Sequence, residues 1–589
     1  MENPTIFYKK QVKHYTSEVK NLNKKLILLS TYRLVVFLLT CFGIYFFFSQ
    51  WQVAICIGVI GISYFLFLLL KYTNIKASRD LNKALVALNE EEIKIASGNF
   101  HHRDQGLEFQ DPNHFYSLDI DLFGKGSFFQ FINRTNVNEG TQQLVNILTS
   151  NNILDIEKRQ NAIKELSAKA KWRQYFSATA SLINVETPTK HIINWLSEYQ
   201  IFLPKGIKWI PLIFSVLSTA IILLISFEII KPIFAILWFV LGAGITGRYL
   251  KKIGMLANNT SKLKDTFKQY ALLLDQIENE TFTSEILLKK QHQIQSETKK
   301  ASIIFKELSR GLDALDNRNN LFVIFFGNGF LLTDIKNSYR IERWIEQYKH
   351  KIADWFEAIS FFDAYNSLGN YTFNHSEFVF PEIQNQGAII SAINLGHPLL
   401  DKTKRIDSDV TINKEQFFIV TGANMAGKST FLRTISLHIV MANSGLPVCA
   451  DKSEYKPVKL ITSMRTSDSL TDDSSYFFSE LTRLKFIVDA IQKESYFIIL
   501  DEILKGTNST DKAIGSRKFV EKLVRSNATG IIATHDLSLC EITETLEEVK
   551  NYYFDAEIVN DELHFDYKLK QGICQNMNAS FLLKKMEIV

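Results

Sequence analysis

Two uncharged apolar runs stand near the start of the chain, Leu34 to Phe48 and Val53 to Leu70, with Ser49-Gln-Trp-Gln52 between them. Each approaches the ~20 residues a helix needs to cross bilayer hydrocarbon, the first falling slightly short. The pattern predicts a helical hairpin with a very tight outer turn. Tyr32, Trp51 and Tyr72 lie at its ends, where interfacial aromatics sit. A second pair, Trp209 to Phe227 and Ile233 to Thr246, is joined by Glu228-Ile-Ile-Lys-Pro232. The small residues of Gly242-Ala-Gly-Ile-Thr-Gly247 suit close helix packing. A buried soluble hairpin is the alternative for either pair. A cleaved signal peptide fits poorly, because more than thirty mostly polar residues precede the first run.

Between and after these runs the apolar spacing changes. Residues 73–108 read as a helical linker. Residues 109–200 alternate turn signals (Asp111-Pro-Asn, Gly124-Lys-Gly) with amphipathic helices. Residues 251–320 are polar, with Leu and Ile at three- and four-residue spacing, which suits long helices. Ile341 to Tyr365 is a further helix with Trp344, Trp355 and Phe356 on its apolar side. No repeat of solenoid period is evident.

Towards the C-terminus three short apolar runs read as buried parallel strands: Gln416 to Thr421, Tyr496 to Asp501 and Thr529 to Thr534. After the first comes Gly422-Ala423-Asn424-Met425-Ala426-Gly427-Lys428-Ser429, a full G-x-x-x-x-G-K-[ST] pattern, and then a helix over Thr430 to Met441. A glycine-rich turn between strand and helix aims backbone N–H groups and a helix N-terminus at one place, which binds phosphate. Lys428 is expected to reach the β/γ-phosphates of ATP and the Ser429 hydroxyl to ligate Mg2+. The second strand ends in Asp501-Glu502. Ligands of open α/β sheets lie at that edge, so Asp501 is the expected holder of Mg2+ through its water shell and Glu502 the expected general base. His535 follows the third strand. A lone histidine at a strand end is more often structural; beside the other two motifs it reads as a γ-phosphate sensor.

Charge orients these parts. The 589-residue chain carries a formal charge of only +5, so no global basic field advertises nucleic acid; it has 45 Phe, some of them concentrated in the two apolar regions. Lysines and arginines flank both hairpins at their open ends, away from the turns: Lys24, Lys25 and Arg33, then Lys71, Lys76 and Arg79; Lys205 and Lys208, then Arg248, Lys251 and Lys252. The positive-inside rule therefore expects an integral membrane protein of the cell's inner membrane, with both termini and the C-terminal α/β domain cytoplasmic. Cys41, Cys56, Cys449, Cys540 and Cys574 are scattered, so neither a disulfide framework nor a zinc site is expected.

The same residues carry a family resemblance. Thr421-Gly-Ala-Asn-Met-Ala-Gly-Lys-Ser-Thr430-Phe-Leu-Arg433 resembles the phosphate loop of the MutS mismatch-repair ATPases. Asp501 to Thr510 resembles that family's Walker B segment and following loop, and Ala533-Thr-His535 its switch histidine. Asp472-Asp-Ser-Ser-Tyr-Phe-Phe-Ser-Glu480 is similar to the segment the family places across its dimer interface. Upstream, Asp119 to Thr135 and Asp155 to Glu165 look like the start of its helical core. The resemblance implies an ATP- and Mg2+-dependent homodimer in which Ser475 contacts the partner subunit's nucleotide. It places Gly422 to Thr430, Asn424 included, around the nucleotide, and makes DNA the implied partner. No mismatch-reading domain and no clamp segment are found, so lesion recognition does not carry over. Leu399 to Ser408 lies where the family stacks adenine, without a match that assigns a residue.

The expected architecture is multidomain, α and α/β. It comprises a basic segment at 1–33, a transmembrane hairpin at 34–72, a linker at 73–108, a MutS-like helical core at 109–200 and a second hairpin at 201–250 in the place of the clamp. Lever and core helices follow at 251–375, then a C-terminal P-loop ATPase domain of the ABC type at 376–589. The expected function is a membrane-anchored ATPase working at a dimer interface. An ABC-type transporter or a membrane-remodelling ATPase without DNA is the alternative; the transporter is weakened by the lack of a Leu-Ser-Gly-Gly-Gln-like signature before Asp501. A nucleotide-binding scaffold without turnover is the third reading; intact Lys428, Asp501 and Glu502 speak against it.

Overall fold

The structure, a computed structural model, describes residues 3–183, 188–260, 263–295, 299–320, 323–423, 425–465, 476–505, 508–559 and 562–575. The chain starts with two antiparallel helices, Pro4–Phe46 and Trp51–Ala96, of 43 and 46 residues. The Asn3 side chain accepts from Thr5 N–H at 2.9 Å to cap the first, with proline at the next position. At 1.5 Å rise per residue each helix runs ~65 Å, about twice the hydrocarbon thickness. The sequence expectation of three parts (1–33, 34–72, 73–108) thus becomes one continuous stalk through Ala96. Nothing at Arg33 or Tyr72 breaks a helix. The two helices approach closely where small residues face: a Cβ on Gly61 would lie 2.2 Å from Thr40 Oγ1.

The outer ends of these helices expose their apolar side chains, among them Leu39, Phe42, Phe46 and Phe48. The basal ends are embedded in the body. Glu92 is buried there. It takes an Arg134 Nε–H at 2.5 Å and side-chain amide N–H groups from Asn370 and Asn374 at 2.9 Å each. Tyr8 OH donates to Asn374 Oδ1 at 2.5 Å. Burial opposes ionisation of Glu92, but the Arg134 guanidinium overcomes it and holds the carboxyl below its ordinary value. Removing one partner of such a pair leaves an uncompensated buried charge, so Glu92→Ala should cost about 3 kcal/mol of stability. A depressed pKa contributes stability above the unfolded value and loses it as pH falls through the folded one. Thermal unfolding in detergent should therefore show the parent losing stability as pH drops below about 4.3, and the variant losing less.

The second pair is Ile210–Ser226 and Ile233–Gly247. Leu250–Thr260 follows the latter at a 63° bend. Three helices among the described residues are long and apolar enough to cross a membrane, or four if the bent pair counts as one span. Glu342 accepts from Phe202 N–H at 2.8 Å, Leu203 N–H at 3.1 Å and Tyr199 OH at 3.1 Å, fixing the chain's entry to this pair.

The helices between are shorter than expected. Residues 251–320 form Leu250–Thr260, Leu263–Asn279, Glu285–Ile294 and Ala301–Asp316 rather than a long lever. Leu263–Asn279 and Ala301–Asp316 pack against each other, with the Phe267 and Phe305 rings 5.1 Å apart. Residues 341–365 likewise belong to two helices, Thr333–Tyr348 and Ile352–Asn374. The latter is buried on nearly all sides and forms the axis of the body.

Two sheets follow. The strands are β1 (Glu382–Ile383), β2 (Ile390–Leu395), β3 (Ser408–Ile412), β4 (Phe417–Gly422), β5 (Lys452–Tyr455), β6 (Lys459–Ser463), β7 (Tyr496–Asp501), β8 (Thr529–Ala533), β9 (Val549–Val559) and β10 (Glu562–Gln571). A small sheet has the order β1-β5-β2-β3; the large one has β10-β9-β4-β8-β7-β6, parallel except for β10. Alternation sorts the large sheet's faces. Phe418, Val420, Phe497, Ile499 and Ile531 join the core shared with the helical body. Phe417, Ile419, Ile498, Leu500 and Ile532 pack on Leu484, Ile487, Val520 and Leu523 of the helices Tyr476–Ile491 and Ser509–Arg525.

Candidate functional site

The three predicted strands are adjacent in the large sheet, in the order β4-β8-β7, so their C-terminal ends share one edge. β4 is buried throughout and ends at Gly422, whose φ is +146°. A Cβ there would lie 2.6 Å from the Phe554 carbonyl oxygen, so only glycine lets the loop leave the sheet beside β9. The chain turns through Met425 (φ +68°) and Gly427 (φ +105°) and enters the helix Lys428–Ser444. Its first turn presents amide N–H groups and positive dipole to the cavity in front.

Lys428 curls back over this turn. Its ammonium is largely buried and donates to the Gly422 carbonyl at 2.8 Å and the Ala423 carbonyl at 3.0 Å. Burial lowers its pKa from the ordinary lysine value. The Ser429 hydroxyl donates to Asp501 Oδ2 at 2.7 Å, joining the loop to the end of β7. The next residue, Glu502, has φ +50°, and its N–H donates to the Ala533 carbonyl at 2.9 Å. His535 Nε2 lies 2.7 Å from Glu502 Oε1 and 3.3 Å from Lys428 Nζ. One ring nitrogen either donates to the carboxylate or accepts from the ammonium, so it cannot serve both at once. The His535 hydrogen bond, working against burial and helped by Lys505 and Lys512, pulls the Glu502 carboxyl down to about 2.

A cavity of about 760 Å3 lies in front of these groups. Lys428, Ser429, Thr430, Asp501, Glu502 and His535 line one side. Leu400, Lys404, Arg405 and Ile406 line another, which brings the 399–408 segment to the site. Leu400 and Ile406 are exposed there and offer an apolar wall. Tyr567 of β10 also lines the cavity, its ring 3.2 Å from where a Cβ on Gly427 would sit. No motif marks Tyr567; only the antiparallel return of β10 on β9 brings it in.

Asn424 and Ser475 lie outside the described residues. The elements that frame the Ser475 segment are visible. Before it, the Arg465 guanidinium pairs with Asp121 Oδ1 at 2.7 Å, and Arg433 of the loop's helix pairs with Asp121 Oδ2 at 3.1 Å. After it, the buried Glu480 carboxylate accepts from Leu504 N–H at 2.5 Å and Lys505 N–H at 3.0 Å, just beyond Glu502. Asp121 and Glu480 fall within the sequence segments singled out above, but a carboxylate's partners are tertiary, and spacing does not announce them.

The donor set fits Mg2+ with a nucleotide. Ser429 and Asp501 supply hard oxygens in mutual contact, and no cluster of three or more His, Cys, Asp or Glu able to hold a metal occurs among the described residues. Mg2+ is held in this way, by one or two protein oxygens plus substrate phosphates and water.

Comparison with known proteins agrees with the geometry. Residues 418–585 match the family MutS domain V. The chain is 33% identical over 225 residues to human MutS protein homolog 4, covering 36% of this chain and 23% of the relative. It is 33% identical over 220 residues to the DNA mismatch repair protein MutS of Methanococcoides burtonii, covering 36% and 24%. For the DNA mismatch repair protein MutS of Halothermothrix orenii the figures are 32% over 223 residues, 36% and 24%. The match thus spans about a quarter of the length of these curated relatives.

Proposed function

We propose, from the premise that this chain belongs to the MutS family through its C-terminal domain V, that it is a membrane-anchored ATPase whose nucleotide site is completed by a second copy. The observation that carries the reading is the meeting of Lys428, Ser429, Asp501, Glu502 and His535 at one sheet edge, before a cavity of nucleotide size. Lys428 and the amide groups opening its helix bind the phosphates. Ser429 and Asp501 hold Mg2+, which neutralises charge on the phosphates when bound. Glu502 accepts the proton of the attacking water. His535 restrains Glu502 before the nucleotide arrives; turned towards a γ-phosphate, it frees the carboxylate to act as a base.

Dimerisation rests on the Ser475 segment, which the family resemblance places across the interface. Glu480 ties the helix after that segment to the loop after Glu502, so closure across the interface is felt at the base. The long hairpin and the second apolar pair anchor the protein in the inner membrane, with the ATPase and both termini cytoplasmic. Their length, exposed apolar faces and flanking basic residues support this. DNA is the partner suggested by the relatives' names, and the near-neutral net charge gives it little electrostatic help.

The test is ATP turnover by purified, detergent-solubilised protein, with and without duplex, single-stranded or branched DNA. Stimulation by one form, lost at higher salt, is the result expected of a membrane-tethered DNA sensor. Turnover indifferent to every DNA form would couple the same engine to a membrane partner instead. Absence of turnover would overturn the ATPase reading.

A further inference from the structure

A third apolar element lies beyond the two hairpins. Residues 321–332, Leu-Phe-Val-Ile-Phe-Phe-Gly-Asn-Gly-Phe-Leu-Leu, are uncharged and too short to cross hydrocarbon. From Val323 on they form a π-helical turn, Val323–Gly327, and one α-turn, Asn328–Leu331, ending at Leu332 in the left-handed region (φ +49°). A soluble protein would fold such a run inward. Here Phe325, Phe326 and Leu331 are 59%, 56% and 45% exposed.

The segment packs against the second apolar pair. The Phe239 ring lies 5.6 Å from that of Phe330 and 6.5 Å from that of Phe326. Backbone approach is close: a Cβ on Gly242 would meet the Gly329 carbonyl at 2.3 Å. Its irregular backbone is given polar partners. The Phe330 carbonyl takes the Ser218 hydroxyl at 2.6 Å, and Ser218 Oγ takes Trp238 Nε1–H at 2.7 Å. Asn328 Oδ1 accepts Asp334 N–H at 2.9 Å. Non-helical backbone at membrane depth is tolerated only when neighbouring protein satisfies it in this way. The two ends of the segment meet, with Arg318 Nε 3.4 Å from Asp334 Oδ2. The chain therefore enters and leaves on the same side as the charged residues around it.

We propose that residues 323–332 form a re-entrant turn that enters the bilayer beside the second hairpin and returns, with Phe325 and Leu331 in contact with lipid. The proposal rests on the membrane reading of that hairpin. Its occupant is lipid because the exposed rings continue the apolar outer face of Ile210–Ser226 and Ile233–Gly247, where Leu217, Ile222 and Ile236 are also exposed.

The test is spin-label accessibility in vesicles. Cys41 and Cys56, the two exposed cysteines, are replaced by alanine; Cys449, Cys540 and Cys574 are buried. Single labels are placed at Phe325→Cys and Leu331→Cys, with Ile222→Cys as the hairpin reference and Lys485→Cys as the aqueous one. Collisions with dissolved oxygen are compared with those of a water-soluble nickel chelate. The expected result is an oxygen-to-nickel ratio at 325 and 331 in the range of 222 and several-fold above 485. A lipid-like 222 with nickel-accessible 325 and 331 would overturn the loop and leave the hairpin standing. A lipid-like 222 with 325 and 331 shielded from both reagents would overturn it in favour of a protein cover. Nickel access at 222 would remove the membrane reading and the loop with it.

Discussion

Lys428→Ala should abolish productive nucleotide binding and lower ATP turnover by at least about 10²-fold, the scale on which phosphate-clamping charges act. The ammonium already occupies the mouth of the loop, held by the Gly422 and Ala423 carbonyls. Alanine leaves those two carbonyls facing the incoming phosphates with no positive charge between. Thermal unfolding without nucleotide checks that the variant is folded. Binding is then read as thermal stabilisation: nucleotide at 100 times its Kd adds about 2.7 kcal/mol to the parent and should add nothing to the variant. Unchanged turnover would sink the phosphate-loop assignment. The same variant tests the shared site. Mixed with Ser475→Ala subunits, it should regain about a quarter of parental turnover, because half of randomly assorted dimers carry one intact site. No recovery on mixing would place Ser475 in its own subunit's site, and parental turnover by Ser475→Ala alone would place it outside any site.

The site was legible in the sequence to the extent that its chemistry needs contiguous residues. A phosphate loop must run strand, glycine turn, helix, and β4, Gly422 to Gly427 and the helix from Lys428 follow that order. The strands matched within a residue because Tyr496–Asp501 and Thr529–Ala533 are apolar runs closed by charge or polarity. Tyr567 was not legible as a cavity wall, since only the return of β10 on β9 brings it to the loop, whereas the 399–408 segment was placed near adenine by resemblance without a residue assigned. Helix lengths failed for another reason. Three- and four-residue spacing continues in phase across short breaks, so Asn279–Glu285 and Tyr348–Ile352 pass unnoticed although chain direction changes there. Residues 321–332 escaped because Gly327-Asn-Gly329 interrupts a run already too short to read as a span.

Glu502→Gln should keep ATP bound and slow its hydrolysis by about 10² to 10⁴-fold, the usual contribution of a general base. Glutamine preserves the shape and still accepts a hydrogen bond from His535, so the loop that starts with Glu502 N–H on Ala533 stays in place. What is lost is the carboxylate's capacity to take a proton. Hydrolysis at the parental rate would assign the water to another group. The carboxylate's present partner makes a sharper test. Held by His535 at about 2, Glu502 is ionised throughout the working range but is a weak base. A depressed carboxyl pKa keeps the ionised form present above that value, so kcat/KM, which reports the free enzyme, should show no acid limb from Glu502 near pH 4. In His535→Ala the hydrogen bond is gone and the pKa should rise towards the ordinary value of about 4.3, bringing an acid limb into view there. An identical acid limb in parent and variant would mean that His535 does not restrain the base. The Glu502–His535 contact would then be a resting position without control over the reaction.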